Sequence, residues 1–342
     1  MEDINRVFID TSKSIFQLHG VDASEQVVVR RRLRRSEVLP FFAGLPPTVV
    51  GLEACGGSHD LARELIGLGH EAKLLPAQYV KAYLKRGKND ARDAEAGCEA
   101  MSRATMRFVP VKTASQQAGL MLIGVRDRVV RNRTQLSNEI RGYAAEFGLV
   151  SPKGLDKIEP LLERIEADEG LPTLARALFA DLGVEYQRRQ EEVKALDARL
   201  AAWRREDEAA RRLSEIPSIG PVGASLLTLK TPDPAAFRNG RDFAAWLGLT
   251  PRDHSTAGKA RLGGITKAGD KMLRRVMVCG AMALLQRVRR GLPPPWPWLT
   301  PLLSKAPKLA AVAIANRVAR IAWRMMLTGQ AYAPPIPRHS AA

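Results

Sequence analysis

Cysteine is scarce in this chain, aromatic residues are few, glutamate is absent from the last third, and no apolar run is long. The three cysteines, Cys55, Cys98 and Cys279, are too few and too scattered for a disulfide framework or a zinc cluster. They fit a reducing compartment, so a cytoplasmic location is expected. No stretch reaches the roughly 18 apolar residues a membrane helix needs. The richest, 309–327, is interrupted by Arg317, Arg320 and Arg324. The opening MEDINRVFID lacks the basic region and apolar stretch of a secretory signal. At 45% apolar and 26% charged residues, the 342-residue chain has enough core-forming material for two or three domains, and disorder is excluded.

What the chain does have is positive charge, unevenly placed. The net charge is +17. Residues 1–110 carry 16 basic and 14 acidic side chains, residues 111–215 carry 18 of each, and residues 216–342 carry 19 against 4. Basicity kept for solubility would spread along the chain. A concentrated positive field attracts polyanions, above all nucleic acid.

The hydrophobic pattern divides the chain the same way. Residues 1–110 read as α/β. Strands are expected at Arg6–Asp10, Ser14–His19, Glu25–Leu33, Thr48–Ala54 and Glu71–Leu75. Helices are expected at Glu37–Leu45, Asp60–Leu68, Ala77–Lys85 and Ala91–Ser102. A meander followed by alternating helices and strands predicts a mixed sheet with helices on it. Residues 111–215 read as helical. Ala118, Leu122, Val125, Val129, Leu136, Ile140, Tyr143 and Phe147 form a coiled-coil-like seam, with Asn132 on it. A second helix over Val184–Leu213 carries Val193, Leu196, Leu200, Trp203 and Ala210 on one face. Gly154, Gly170, Pro172 and Gly183 punctuate the stretch between. Such a hairpin either protrudes for oligomerisation or forms an ordinary layer. Residues 216–330 are mostly helical: a helix-hairpin-helix-like unit (IPSIGPVGASLL), a helix over Phe237–Leu249, a polar glycine-rich loop over 251–270, helices at Lys271–Gln286 and Lys308–Leu327, and a proline-rich connector over 291–301. Residues 331–342 read as a loose tail.

Two constellations carry chemistry. Asp10 and Glu53 close strands, and Asp90 and Asp93 open a helix, three apart and therefore on one face. Acids at strand ends and a helix start can converge at one sheet edge. Such a cluster repels itself unless divalent cations sit within it, and Mg²⁺ favours hard oxygen ligands. Two such ions would serve phosphoryl transfer. Singly, each acid also fits a cap or a turn. The second constellation is the loop PRDHSTAGKARLGGITKAGD, where four glycines and the cations Lys259, Arg261 and Lys267 crowd around Ser255 and Thr256. Glycines let backbone amides approach phosphates and the cations neutralise them. Lys271, Arg274 and Arg275 follow on the next helix. Ser255 is either a nucleophile, which needs a base or a metal to activate it, or a residue that hydrogen-bonds a phosphate or turns the loop. Cys55 reads as a small buried filler.

Several segments together resemble one known family. IDTSK around Asp10, LEACGGSHDLARELIGLGHEAKLLPAQYVK from Leu52, KRGKNDARDAEA from Lys85 and MRFVPVK from Met106 resemble the N-terminal half of the DEDD insertion-sequence transposases. IPSIGPVGASLL and FRNGRDFAAWLGLTPRDHSTAGKARLGGITKAGDKMLRR resemble their C-terminal domain. Ala257 stands where a glycine is more usual. The resemblance implies a RuvC-like, ribonuclease-H-type N-terminal domain with Asp10, Glu53, Asp90 and Asp93 as metal-binding catalytic acids, Ser255 as the catalytic serine, and Mg²⁺ as cofactor. It implies donor and target DNA as partners, a structured guide RNA, and a homo-oligomer, dimer or tetramer, acting in the bacterial cytoplasm in association with the nucleoid. The expected activity is strand cleavage and rejoining through a phosphoserine link. The rivals are a junction-resolving nuclease that uses water and a non-catalytic DNA-binding scaffold.

Overall fold

The computed structural model describes residues 4–83, 90–231, 233–256, 259 and 261–334. The chain forms two compact units, residues 1–117 and 118–342.

The first unit is built on a five-stranded mixed sheet. Strands β1 (Arg6–Asp10), β2 (Ile15–Val21) and β3 (Val27–Arg34) form an antiparallel meander. Helix α1 (Arg35–Ala43) then crosses over to β4 (Val49–Glu53), parallel to β1, and α2 (Ser58–Gly67) crosses to β5 (Glu71–Leu75), parallel to β4. The order across the sheet is β3-β2-β1-β4-β5. A short α3 (Ala77–Val80) and then α4 (Asp90–Met101) follow. Alternation along β1 sorts its residues between the faces. Val7 and Ile9 join the core under α1 and α2, with Phe42, Leu52 and Leu65. Phe8 turns the other way, into a core with Leu75, Ala94 and Met101 that lies under α4. Helix α4 lies close to the sheet because it has no side chain at Gly97, where a Cβ would stand 2.2 Å from the Phe8 ring.

The second unit begins with two long helices, α5 (Ala114–Glu146, its first turn in the preceding unit) and α7 (Thr173–Glu206), joined through α6 (Ile158–Glu166). They run antiparallel. Arg126 Nε meets Asp197 at 2.5 Å, and Arg133 reaches Gln190. Leu136 and Ile140 of α5, Leu161 and Ile165 of α6, and Phe179 and Tyr186 of α7 form a core of their own. The seam differs from expectation. The structure buries Gly119, Ile123, Val129, Leu136, Ile140 and Ala144, whereas Ala118, Tyr143 and Phe147 are exposed. A straight helix drifts away from a 3.5-residue repeat, and α6 sets which face is covered at the far end. Gly183 is no break; α7 runs through it from Pro172, which caps it, because an isolated glycine costs a long helix only about 1 kcal/mol.

The remaining helices are α8 (Glu208–Leu213), started by the Asp207 side chain, α9 (Pro221–Lys230), α10 (Gly240–Trp246), α11 (Lys271–Arg289) and α12 (Pro307–Thr328). They enclose a core of Leu226, Phe243, Leu273, Leu285, Ile314 and Val318, which Ile123 and Leu200 of the long helices also enter. The turn between α8 and α9 holds Ser218 at φ +82°, and α11 passes hard against it: a Cβ on Gly280 would lie 2.0 Å from the Ser218 carbonyl oxygen. Helix α10 starts later than expected because Asn239 caps it, accepting from Arg241 and Asp242 amides. The glycine-rich segment is not all loop. β6 (Pro251–Asp253) and β7 (Leu262–Ile265) pair as a two-stranded antiparallel ribbon. Trp296 and Trp298 stack in the proline-rich connector, and Trp296 Nε1 donates to the Tyr332 hydroxyl in the tail. No described helix is long and apolar enough to cross a membrane.

Candidate active site

The sheet places the N-terminal acids. Asp10 is the last residue of β1 and Glu53 the last of β4. These strands are parallel neighbours, with Ile9 opposite Leu52, so the next residue on each ends its strand at the same edge. Ile9 and Leu52 belong to the core under α1 and α2. By alternation, Asp10 and Glu53 face the side on which α4 lies, with Cα atoms roughly 5 Å apart. Asp93 sits in the first turns of α4 and, like Asp10 and Glu53, is half-buried. The backbone of Asp90 opens the same helix; its side chain lies outside the described residues. The loops after the two acid-bearing strands are tied together where Thr11 Oγ1 and Cys55 Sγ stand 3.0 Å apart. Cys55 is therefore no buried filler. It is exposed, because the chain turns out of the sheet directly after Glu53.

Among the described residues, no three His, Cys, Asp or Glu side chains converge closely enough to hold a metal ion. The donor chemistry of Asp10, Glu53 and Asp93 is nonetheless that of a hard cation, all carboxylate oxygen with no thiolate or imidazole.

Ser255 follows β6 in the second unit and is exposed. Its backbone amide donates to Asp253 Oδ1 at 2.8 Å, and its Oγ accepts from the Arg261 amide at 3.0 Å. The hydroxyl also hydrogen-bonds the Asp253 carboxylate, which holds the Asp253 carboxyl below the usual aspartate range. Asp253 is a site residue that the sequence reading passed over; the signal was an aspartate two residues before a serine, the spacing of an Asx turn. His254, adjacent in sequence, does not bond to Ser255. Its amide pairs with the Arg261 carbonyl, and its ring lies near Gly263 across the ribbon. Thr256 bridges to Lys259. Ala257 lies outside the described residues.

The candidate phosphate-binding cations divide into two groups. Lys259, Arg261, Lys267 and Lys271 are exposed along the ribbon and at the start of α11. Lys267 holds a left-handed φ of +58°. Arg274 and Arg275 have intramolecular partners. Arg274 donates to the Leu247 and Ala268 carbonyls, and Arg275 pairs with Asp127 on α5. At the end of the ribbon, Asp270 caps α11 and takes Lys230 as its ion-pair partner, at 2.5 Å.

The model of the IS116/IS110/IS902 transposase family matches residues 210–293, which include α9, α10, the serine ribbon and α11. Similarity to whole proteins extends much further. A Sinorhizobium fredii protein named "Putative transposase y4pF/y4sB" is 60% identical over 97% of this chain and 86% of its own length. The transposase for insertion sequence element IS1328 of Yersinia enterocolitica is 38% identical over 97% of this chain and 99% of its own. That for IS1111A of Coxiella burnetii is 36% identical over 97% and 92%. With relatives this similar along nearly its whole length, the chain belongs to the IS116/IS110/IS902 family of insertion-sequence transposases and is a DNA transposase.

Proposed function

We propose that this transposase cuts and rejoins DNA through Ser255, with Asp10, Glu53, Asp90 and Asp93 as the acids of a RuvC-like, Mg²⁺-dependent site. The observation that carries the reading is the Ser255 hydroxyl: exposed, fixed by Asp253 and the Arg261 amide, and flanked by Lys259 and Arg261. Among the described residues neither Lys259 nor Arg261 has a carboxylate partner, so both cations are placed to meet a phosphate at the hydroxyl.

In this reading Ser255 Oγ forms a bond to a DNA phosphorus as the bond to the departing strand's oxygen breaks. The serine proton passes toward Asp253, and the leaving oxygen takes up a proton to become a free hydroxyl. Rejoining is the reverse reaction with a hydroxyl of the new partner, so no ester bond is lost to water. Mg²⁺, held by the four acids, would supply Lewis-acid stabilisation of the phosphate oxygens. Lys259, Arg261, Lys267 and Lys271 hold the backbone, while Arg274 and Arg275 stand beside them and fix α11. The serine and the acids lie in different units, so the chemistry requires them at one phosphodiester, within a chain or across a homodimer or tetramer. The structured guide RNA comes with the family resemblance; a basic surface by itself engages RNA and DNA alike.

The test is a denaturing gel of end-labelled donor DNA incubated with protein, RNA and Mg²⁺, with and without protease. A protease-sensitive shifted band that is present in wild type and Thr256→Ala and lost in Ser255→Ala is the expected result. Cleavage without protein-linked DNA, unaffected by Ser255→Ala, would replace this reading with that of a water-using nuclease.

A further inference from the structure

The net charge of the first unit conceals a local concentration. Residues 27–35 read VVVRRRLRR, with five arginines and no acid. Their strand, β3, is an edge of the sheet, and Arg30, Arg31, Arg32 and Arg34 are exposed on it. Arg31 lies over the Phe41 ring on the α1 side, and Arg35 is anchored by the Ser12 and Lys13 carbonyls and lies over Phe16. Arg30 and Arg32 face the other way. The register sets their direction: Phe8 stands opposite His19 and His19 opposite Arg30, while Asp10 stands opposite Gln17 and Gln17 opposite Arg32. Directly opposed residues on paired strands project to the same face. Arg30 and Arg32 therefore share the face of Phe8 and Asp10, the face that carries α4.

A cleft of about 360 Å³ runs between the β2–β3 ribbon and the first turns of α4, lined by Gln17, His19, Arg30, Arg32, Arg92 and Glu95, with Arg31 also at its wall. Arg92 and Glu95 each have an interaction partner. None of the ion pairs among the described residues takes up Arg30 or Arg32. Along the strand these two are about 6.8 Å apart, of the same order as successive phosphates on a nucleic-acid strand, and Arg32 is only two strand spacings, roughly 10 Å, from Asp10.

We propose that the Arg30–Arg32 face of β3 is a DNA-backbone site: it grips successive phosphates of the strand that passes to the Asp10 edge. Delivery to Asp10 rests on the reading of that edge as the cleavage site, whereas the grip itself does not. The alternative is that the arginines only keep an edge strand from pairing with other chains, since charge on an edge does that. The two accounts separate cleanly. Edge protection needs charge of either sign; phosphate binding needs positive charge.

The experiment is fluorescence anisotropy of a labelled donor duplex with full-length protein, across 50 to 200 mM salt. Arg30→Glu/Arg32→Glu keeps the edge charged and should remain as monodisperse and as heat-stable as wild type. It should bind DNA at least about ten-fold more weakly, with a log–log salt slope shallower by about 2, because two phosphate contacts are gone. Arg30→Lys/Arg32→Lys should retain most of the affinity and the slope. Wild-type DNA affinity and slope in the glutamate variant would overturn the proposal, as would loss of affinity for RNA with DNA binding unchanged. Cleavage is scored separately with Asp10→Asn, so failure of the carboxylate reading is not confused with failure of this one.

Discussion

Gly97→Ala should damage cleavage more than it damages anything else. The single added methyl would stand 2.2–2.4 Å from three atoms of the Phe8 ring, against the roughly 3.5–4.0 Å of a normal carbon contact. Phe8 is 1% exposed and enclosed by Leu75, Ala94 and Met101, so the ring has nowhere to swing. The strain is relieved by lifting α4 from the sheet by about 1–1.5 Å, at a cost of about 1–3 kcal/mol for an overpacked site. Helix α4 carries Asp90 and Asp93, so in the site proposed above the same displacement moves two of the four acids relative to Asp10 and Glu53, which stay on the sheet. A misplacement of that size costs on the order of 10²-fold in rate. The assays are urea unfolding, strand cleavage, and DNA binding, which is expected to remain near wild type. The check on the cause is a double-mutant cycle. Phe8→Leu alone opens space, and in its background Gly97→Ala should be much less harmful, leaving a coupling above about 1 kcal/mol. Additive effects, or a Gly97→Ala protein that cleaves at the wild-type rate, would refute the claim that the Phe8–Gly97 contact sets the height of α4.

Asp253→Asn keeps an acceptor for the Ser255 amide but not the carboxylate that faces the hydroxyl. Formation of the covalent adduct should fall roughly 10²-fold with DNA affinity unchanged, and an undiminished adduct rate would remove Asp253 from the site. His59 on α2 accepts from the Lys112 amide, and burial, with Lys112 and Arg63 nearby, lowers its pKa to about 4. The folded state therefore holds this proton less tightly than the unfolded chain, for which about 6.5 is usual. Stability from this group is full above pH 6.5 and is lost as the pH falls toward 4, by about 1–2 kcal/mol once screening at the partly exposed ring is allowed for. Urea melts at pH 7.5 and 4.5 should show a smaller difference for His59→Gln than for wild type; an equal difference would contradict this.

The order of strands and helices was readable because each obeys one period. β1 and β5 fall at Arg6–Asp10 and Glu71–Leu75, as their apolar runs predict. Boundaries slipped where a side chain rather than a pattern decides them: at Asn239, which delays α10, and at Asp207, which separates α8 from α7. The seam of α5 was misread for a different reason. Heptad counting assumes one partner along the whole helix, whereas α5 is covered by α6 and α7 at its far end and enters the C-terminal core at Ile123. The ribbon of β6 and β7 read as loop because strands of three and four residues, one of them with two glycines, are too short to show an alternating pattern.

The site shows the same division between what composition carries and what register carries. Asp10 and Glu53 could be picked out because each ends a strand. That they share an edge and a face follows only from the pairing of β1 with β4. Ser255 stood out among glycines and cations, but its partner is Asp253 rather than the neighbouring His254, since along a strand adjacent side chains diverge while an Asx turn brings residues two apart together. The arginines of β3 were visible as letters and lost in a sum, because a net charge of +2 over residues 1–110 averages them against acids on other elements. Electrostatic potential depends on where charges lie. Two guanidiniums on one face, in register with the strand that ends at Asp10, make a local field that the balance of the unit cannot reveal.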